Sequence, residues 1–225
     1  MLNHSKHISA TEIYQFRRKI LNWYKAHGRN FPWRKKSISN YQKVMAEILL
    51  QRTQADTIAK FWQPFFTKFP SWKSMLNVSL KEMEKIIKPI GLYHAKAKGL
   101  LSLAKAMKQR RGRFPKNKKA LEKLPLIGPY NANAILTVIY NERQPLLDGN
   151  MTRVLERYFG KKREKEIHRD PYLQELATRV VNIENSKIIN WAILDFAAKV
   201  CQARTPKCEG CVLKRKCASY KVTPY

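Results

Sequence analysis

Apolar residues recur every three to four positions along most of this chain, and no stretch sustains the every-other-residue alternation of a half-buried strand. Ser9 and Glu12 stand three apart ahead of Ile13, Phe16, Ile20 and Trp23, a capping box followed by one helical face, and Gly28 offers a stop. Ser79 and Glu82 repeat the device before Met83, Ile86 and Ile87. The same period runs through residues 44–50, 58–66, 121–124, 134–139 and 188–200. The pattern predicts an all-α protein with no internal repeat and no low-complexity linker. Two charged stretches, 109–119 and 161–170, predict solvated connections between helices. The first, with six Lys or Arg in eleven residues, also suits phosphates.

Charge narrows the partner. Forty-five Lys and Arg against 16 Asp and Glu give a formal +29 on 225 residues, more than solubility requires and suited to a polyanion that releases counterions on binding. Nucleic acid is therefore the expected partner. A membrane surface would attract the same charge. However, no apolar run approaches the roughly 18 residues of a spanning helix, and no basic amphipathic end segment stands apart. At 44% hydrophobic and 11% aromatic, the chain can bury a core, and its length predicts one or two domains.

All four cysteines, Cys201, Cys208, Cys211 and Cys217, lie in the last quarter. The opening MLNHSKHISATEIY lacks the apolar core of a signal peptide. A reducing cytoplasm is expected, which counts against disulfides. Four thiolates suit tetrahedral zinc as well as an iron–sulfur cluster, but zinc sites usually come as two close pairs, and only Cys208 and Cys211 form one. The C-x6-C-x2-C-x5-C spacing resembles the [4Fe-4S] loop of endonuclease III-type DNA glycosylases. That resemblance implies a [4Fe-4S] cofactor, with Lys207, Lys214, Arg215 and Lys216 beside it as phosphate contacts.

Two further segments carry the resemblance. Leu124-Pro125-Leu126-Ile127-Gly128-Pro129-Tyr130, followed by an apolar helical run, resembles a helix-hairpin-helix, in which backbone N–H groups around Ile127 and Gly128 grip a phosphate without reading sequence. The family has glycine where this chain has Leu126, and Pro129 removes a donor, so an altered grip is expected. Eighteen residues past Tyr130, Leu146-Leu147-Asp148-Gly149-Asn150-Met151-Thr152-Arg153-Val154 resembles the family's aspartate segment. Hairpin, aspartate and cysteine loop, in that order, resemble the helix-hairpin-helix glycosylase superfamily from about Phe31 to Cys217. The implied fold is two helical domains flanking a DNA-binding cleft. A six-helix domain spans about 28–138, and residues 1–27 and 139–225 form the cluster-bearing domain.

In that family the aspartate stabilises the positive charge that builds on the sugar as the base departs, so Asp148 is the expected catalytic carboxylate. A helix cap is the plainer reading of the same residue, and both can hold. Members that also cut the strand carry a lysine after the hairpin to form a Schiff base. Here the residue is Tyr130, and none of its neighbours is an amine, so a monofunctional enzyme is expected. Adenine glycosylases usually have Ser at this place and thymine-mismatch glycosylases Tyr. The resemblance therefore favours thymine or uracil opposite guanine in double-stranded DNA, with adenine opposite guanine as the alternative.

Phe31-Pro32-Trp33-Arg34 and Ala46-Glu47-Ile48-Leu49-Leu50-Gln51-Arg52-Thr53-Gln54 resemble segments shared by both branches. Glu47 matches the carboxyl that assists the departing base. Periodicity alone would pair it with Lys43 on a solvated face. Arg52, beside Gln51, falls where the family fills the gap left by a flipped base, and a guanidinium suits guanine. Leu92, in Gly91-Leu92-Tyr93, matches a wedge beside the orphaned base, although a leucine there also reads as core. The chain runs eight residues past Cys217, so no oxidised-guanine domain is expected. Asp148-Gly149-Asn150 and Gln51 look more like the adenine branch. A ferredoxin-like carrier would explain the cysteines without the rest, and a non-catalytic, cluster-containing DNA-binding protein would tolerate loss of Asp148. A monomer of the prokaryotic cytoplasm, associated with the nucleoid, completes the expectation.

Overall fold

The computed structural model describes residues 8–160 and 162–222. Residues 1–7 of the opening, Lys161 in the second charged stretch and the last three residues lie outside them. Among the described residues there is no strand. The helices are α1 Ala10–His27, α2 Asn40–Leu49, α3 Ala55–Lys68, α4 Trp72–Met75, α5 Leu80–Ile87, α6 Tyr93–Gln109, α7 Lys118–Glu122, α8 Pro129–Tyr140, α9 Gly149–Phe159, α10 Pro171–Val181, α11 Ser186–Lys199 and α12 Ala218–Val222. The chain forms two compact units, Asn30–Asn141 and Met1–Arg29 with Glu142–Tyr225.

In the second of these units, Ser9 and Glu12 form both halves of their capping box, and Ile13, Phe16, Ile20 and Trp23 of α1 are all buried. Phe16 packs its ring against Tyr158 and Phe159 of α9, with centroids 5.0 and 5.4 Å away. Asp195 of α11 is fully buried and takes the Arg29 backbone N–H and Nε, each at 2.7 Å, where α1 hands the chain on. The charged stretch after α9 is solvated as expected over residues 162–166, 168 and 169, and only its end turns inward. Asp170 is 3% exposed, and its carboxylate accepts from the N–H groups of Glu164, Lys165 and Leu173, so it ties the loop down while capping α10. Asn190 plays the same part for the chain entering the aspartate segment. Its amide accepts from Leu146 N–H at 2.7 Å and donates to the Gln144 and Ser186 carbonyls.

The Asn30–Asn141 unit buries an aromatic-rich core in which Phe65, Phe69, Val44, Ile48 and Leu100 are essentially inaccessible. Capping boxes open α2 (Ser39, Gln42), α4 (Ser71, Ser74) and α5 (Ser79, Glu82). Between α7 and α8, Leu126 takes φ +63°, the left-handed conformation for which glycine is the ordinary choice. Gly99 of α6 makes that possible. A Cβ at residue 99 would stand 2.5 Å from both Cγ and Cδ2 of Leu126. The leucine therefore lies where any larger residue at position 99 would exclude it, and its partial burial against the core works against the backbone strain.

Candidate active site and nucleic-acid interface

Asp148 is the N-cap of α9. Its Oδ1 accepts from Asn150 N–H at 2.9 Å and Met151 N–H at 2.8 Å, and its Oδ2 accepts from Asn150 Nδ2 at 2.8 Å. Three bonds fix the direction of the carboxylate and leave Oδ2 able to accept another. The chain of support continues outward. Asn150 Oδ1 accepts from Arg153 Nη2 at 3.1 Å, and Arg153 Nε donates to the Cys201 carbonyl at 2.9 Å. The aspartate is thereby joined through two side chains to the backbone of the first cysteine. Sequence reasoning quoted Asn150 and Arg153 but assigned them no role in holding the aspartate, and the far partner of Arg153 lies 48 residues downstream.

All four cysteines line one pocket with Val154, Arg157, Tyr158, Phe196 and Leu213. Arg157 holds the loop by donating to Gln202 and Ala203 carbonyls and, at 3.5 Å, to Cys201 Sγ. Burial pushes the Cys211 thiol up to about 11 and raises those of Cys208 and Cys217. Among the described residues, no three His, Cys, Asp or Glu side chains are disposed to hold a single metal ion. Of the four cations beside the loop, Lys214 pairs with Glu209 at 2.6 Å and Lys216 donates to Gln15 Oε1. Lys207 and Arg215 are exposed and, among the described residues, have no side-chain partner, which leaves them free for phosphate.

In the Asn30–Asn141 unit, Glu47 is 6% exposed, and Tyr130 Oη donates to its Oε2 at 3.5 Å. Lys43 bonds Asn40 Oδ1 instead, so the solvated Glu47–Lys43 pair that periodicity allows does not form. Arg52 and Leu92 both have positive φ, 53° and 50°, and both are exposed, Leu92 by 52%. A leucine held out to solvent in a costly conformation is not core. Gln51 is turned inward, its amide donating to the Leu126 carbonyl at 3.2 Å, and Asn131 Nδ2 donates to the same oxygen at 2.9 Å.

Sequence reasoning missed Lys96. It is 4% exposed, donates to Leu49 carbonyl at 3.1 Å and Thr53 Oγ1 at 2.7 Å, and burial lowers its pKa to about 8. A lysine in an amphipathic helix reads as solvent-facing, and only the three-dimensional fold reveals otherwise.

At the hairpin, the Ile127 side chain is buried and its N–H donates to Leu124 carbonyl, so it offers little outward. Gly128 differs. Its N–H has no partner among the described residues, its φ of −87° suits any residue, and an added Cβ would meet nothing within 4 Å. The fold does not require glycine here, which leaves the approach open for an external group such as a phosphate at the start of α8. Pro129 occupies the first helical position, where its missing N–H has no intrahelical role.

The chain belongs to the HhH-GPD superfamily of base excision DNA repair proteins, whose model matches residues 45–181. It is 35% identical over 213 residues to the thymine-DNA glycosylase of Aeropyrum pernix, covering 92% of this chain and 95% of that protein. It is also 35% identical to the adenine DNA glycosylase of Buchnera aphidicola subsp. Schizaphis graminum over 93% of this chain, but that match spans 60% of the relative. The structure of a thermostable thymine-DNA glycosylase superposes with a TM-score of 0.87 at 33% identity, covering 96% of this chain and all of that one.

Replacing Gly128 by Ala separates fold from DNA grip. Urea denaturation should place Gly128→Ala within about 1 kcal/mol of the parent, since the backbone conformation is an ordinary one. Duplex affinity, measured by salt titration, should fall several-fold for matched and mismatched DNA alike. Unchanged affinity would place the phosphate elsewhere.

Proposed function

We propose that this protein is a monofunctional mismatch glycosylase that releases thymine or uracil opposite guanine from double-stranded DNA. The carrying observation is the Tyr130–Glu47 hydrogen bond. Where a strand-cutting relative would need an amine, this chain has a phenol tied to the carboxyl that faces the departing base. The likeness to a thymine-DNA glycosylase over nearly the full length of both chains supports the same reading.

In the proposed reaction the N-glycosidic bond breaks with its electron pair leaving on the pyrimidine N1. Asp148 stabilises the charge building on the sugar, and a water adds to the sugar carbon and gives up its proton, by way of the Asp148 carboxylate, to the departed pyrimidine anion. A pyrimidine dione departs as a stabilised anion, so Glu47 and Tyr130 need only orient and hydrogen-bond it. Arg52 and Leu92 occupy the space the extruded nucleotide leaves.

The cysteine pocket fits an iron–sulfur cluster. Its four sulfur donors, Cys201, Cys208, Cys211 and Cys217, line one pocket with mostly apolar neighbours, a donor set that suits iron–sulfur ligation. Cys201, Cys208, Cys211 and Cys217 would each give one thiolate to a [4Fe-4S] group, which would cross-link the loop below Arg153 and Arg157. Purified protein should then be brown, with broad absorption near roughly 400 nm. Colourless protein with stoichiometric zinc would refute the cluster.

A panel of duplexes carrying T·G, U·G, A·G and A·8-oxoG, developed with alkali to reveal abasic sites, tests the base assignment. T·G and U·G should be processed in preference, and preferential A·G cleavage would overturn it. Tyr130→Ser should shift activity towards A·G, and Tyr130→Lys should yield a borohydride-trapped protein–DNA adduct that the parent does not give.

A further inference from the structure

The four-residue turn Leu50–Thr53 is fastened from below on every side. Lys96 of α6 reaches the C-terminal end of α2, where its ammonium donates to the Leu49 carbonyl left over by the helix and to Thr53 Oγ1. Both partners are neutral, so this buried cation serves geometry rather than charge pairing. Thr53 Oγ1 passes the contact on, donating to the Ile90 carbonyl at 2.7 Å. Ile90 stands two residues before Leu92, and Thr53 one after Arg52. The two exposed non-glycine residues of this face with positive φ are thus tied to one another through a single hydroxyl, while Gln51 fastens the same turn to the hairpin. Such φ values are costly for residues with a Cβ and persist only where the surroundings over-determine them.

We infer that Lys96 and Thr53 are positioning residues that lock the turn carrying Arg52 to the turn carrying Leu92, so that the two side chains enter the duplex as one rigid unit. This rests on the glycosylase reading for what the unit does, but not for its existence. Without the hydroxyl, the Arg52 and Leu92 turns would relax independently, and a flipped nucleotide would be poorly excluded from its former place. Phosphate contacts elsewhere would still hold the DNA.

Thr53→Val removes the hydroxyl at nearly constant volume, and Lys96→Met removes the amine while keeping the stem. Hydrogen exchange by mass spectrometry on the free protein should show faster exchange in both variants at residues 50–54 and at 90–93 together. A rise confined to one segment, or none, would overturn the inference whatever base the enzyme removes. Single-turnover base release should fall roughly tenfold or more, as for a displaced positioning group, with duplex affinity within about twofold of the parent. The double variant should be no worse than the weaker single one, because both act through one hub. Losses that multiply would mean two independent roles. A parent inactive on T·G and U·G would refute the base assignment but leave the exchange result to decide the hub. If Lys96→Met does not fold, Thr53→Val alone gives both readouts.

Discussion

The capture of one carboxylate by the start of α9 is what the rest of the site depends on. Asp148 is the cap that begins the helix and, in the proposed reaction, also the group that stabilises the sugar, and the two jobs are compatible because its three hydrogen bonds leave Oδ2 unsaturated. The helix behind it is immobilised by burial of Met151, Val154, Leu155 and Tyr158. Arg153 and Arg157 then bind that same helix to the cysteine loop through carbonyls. Whatever the loop holds therefore bears on Asp148 by position and not by chemistry.

The Asn30–Asn141 unit solves a different problem, which is to present side chains outward without losing their aim. It does so with left-handed backbone at Arg52 and Leu92, while a third such residue, Leu126, packs inward at the hairpin, and each is held by neighbours from elsewhere in the unit. Lys96, Gln51, Asn131 and the missing side chain of Gly99 are those neighbours. Net positive charge brings DNA to such a surface, but charge alone orients nothing.

Much of the fold was legible in sequence because it is written in short-range signals. The boxes at Ser9–Glu12 and Ser79–Glu82 formed, and the four apolar positions of α1 are all interior. The hairpin was legible as a motif, but Leu126 looked like a defect because its accommodation lies in α6, out of range of any local pattern. Periodicity placed Glu47 on a solvated face and gave no sign that Lys96 is interior, because a charged residue on an amphipathic helix is assumed to face water and tertiary packing decides otherwise. Arg153 and Asn190 carried no local signal, since each acts on backbone that folding alone brings near.

Asp148→Asn, measured for stability and for single-turnover base release on a T·G duplex, tests the account most directly. Asparagine caps helices about as well as aspartate, so the unfolding free energy should stay within about 1 kcal/mol of the parent and mismatch affinity should persist. Base release should fall by roughly a hundredfold or more as the charge at the sugar is lost. Release close to the parent rate would reduce Asp148 to a helix cap and contradict the mechanism.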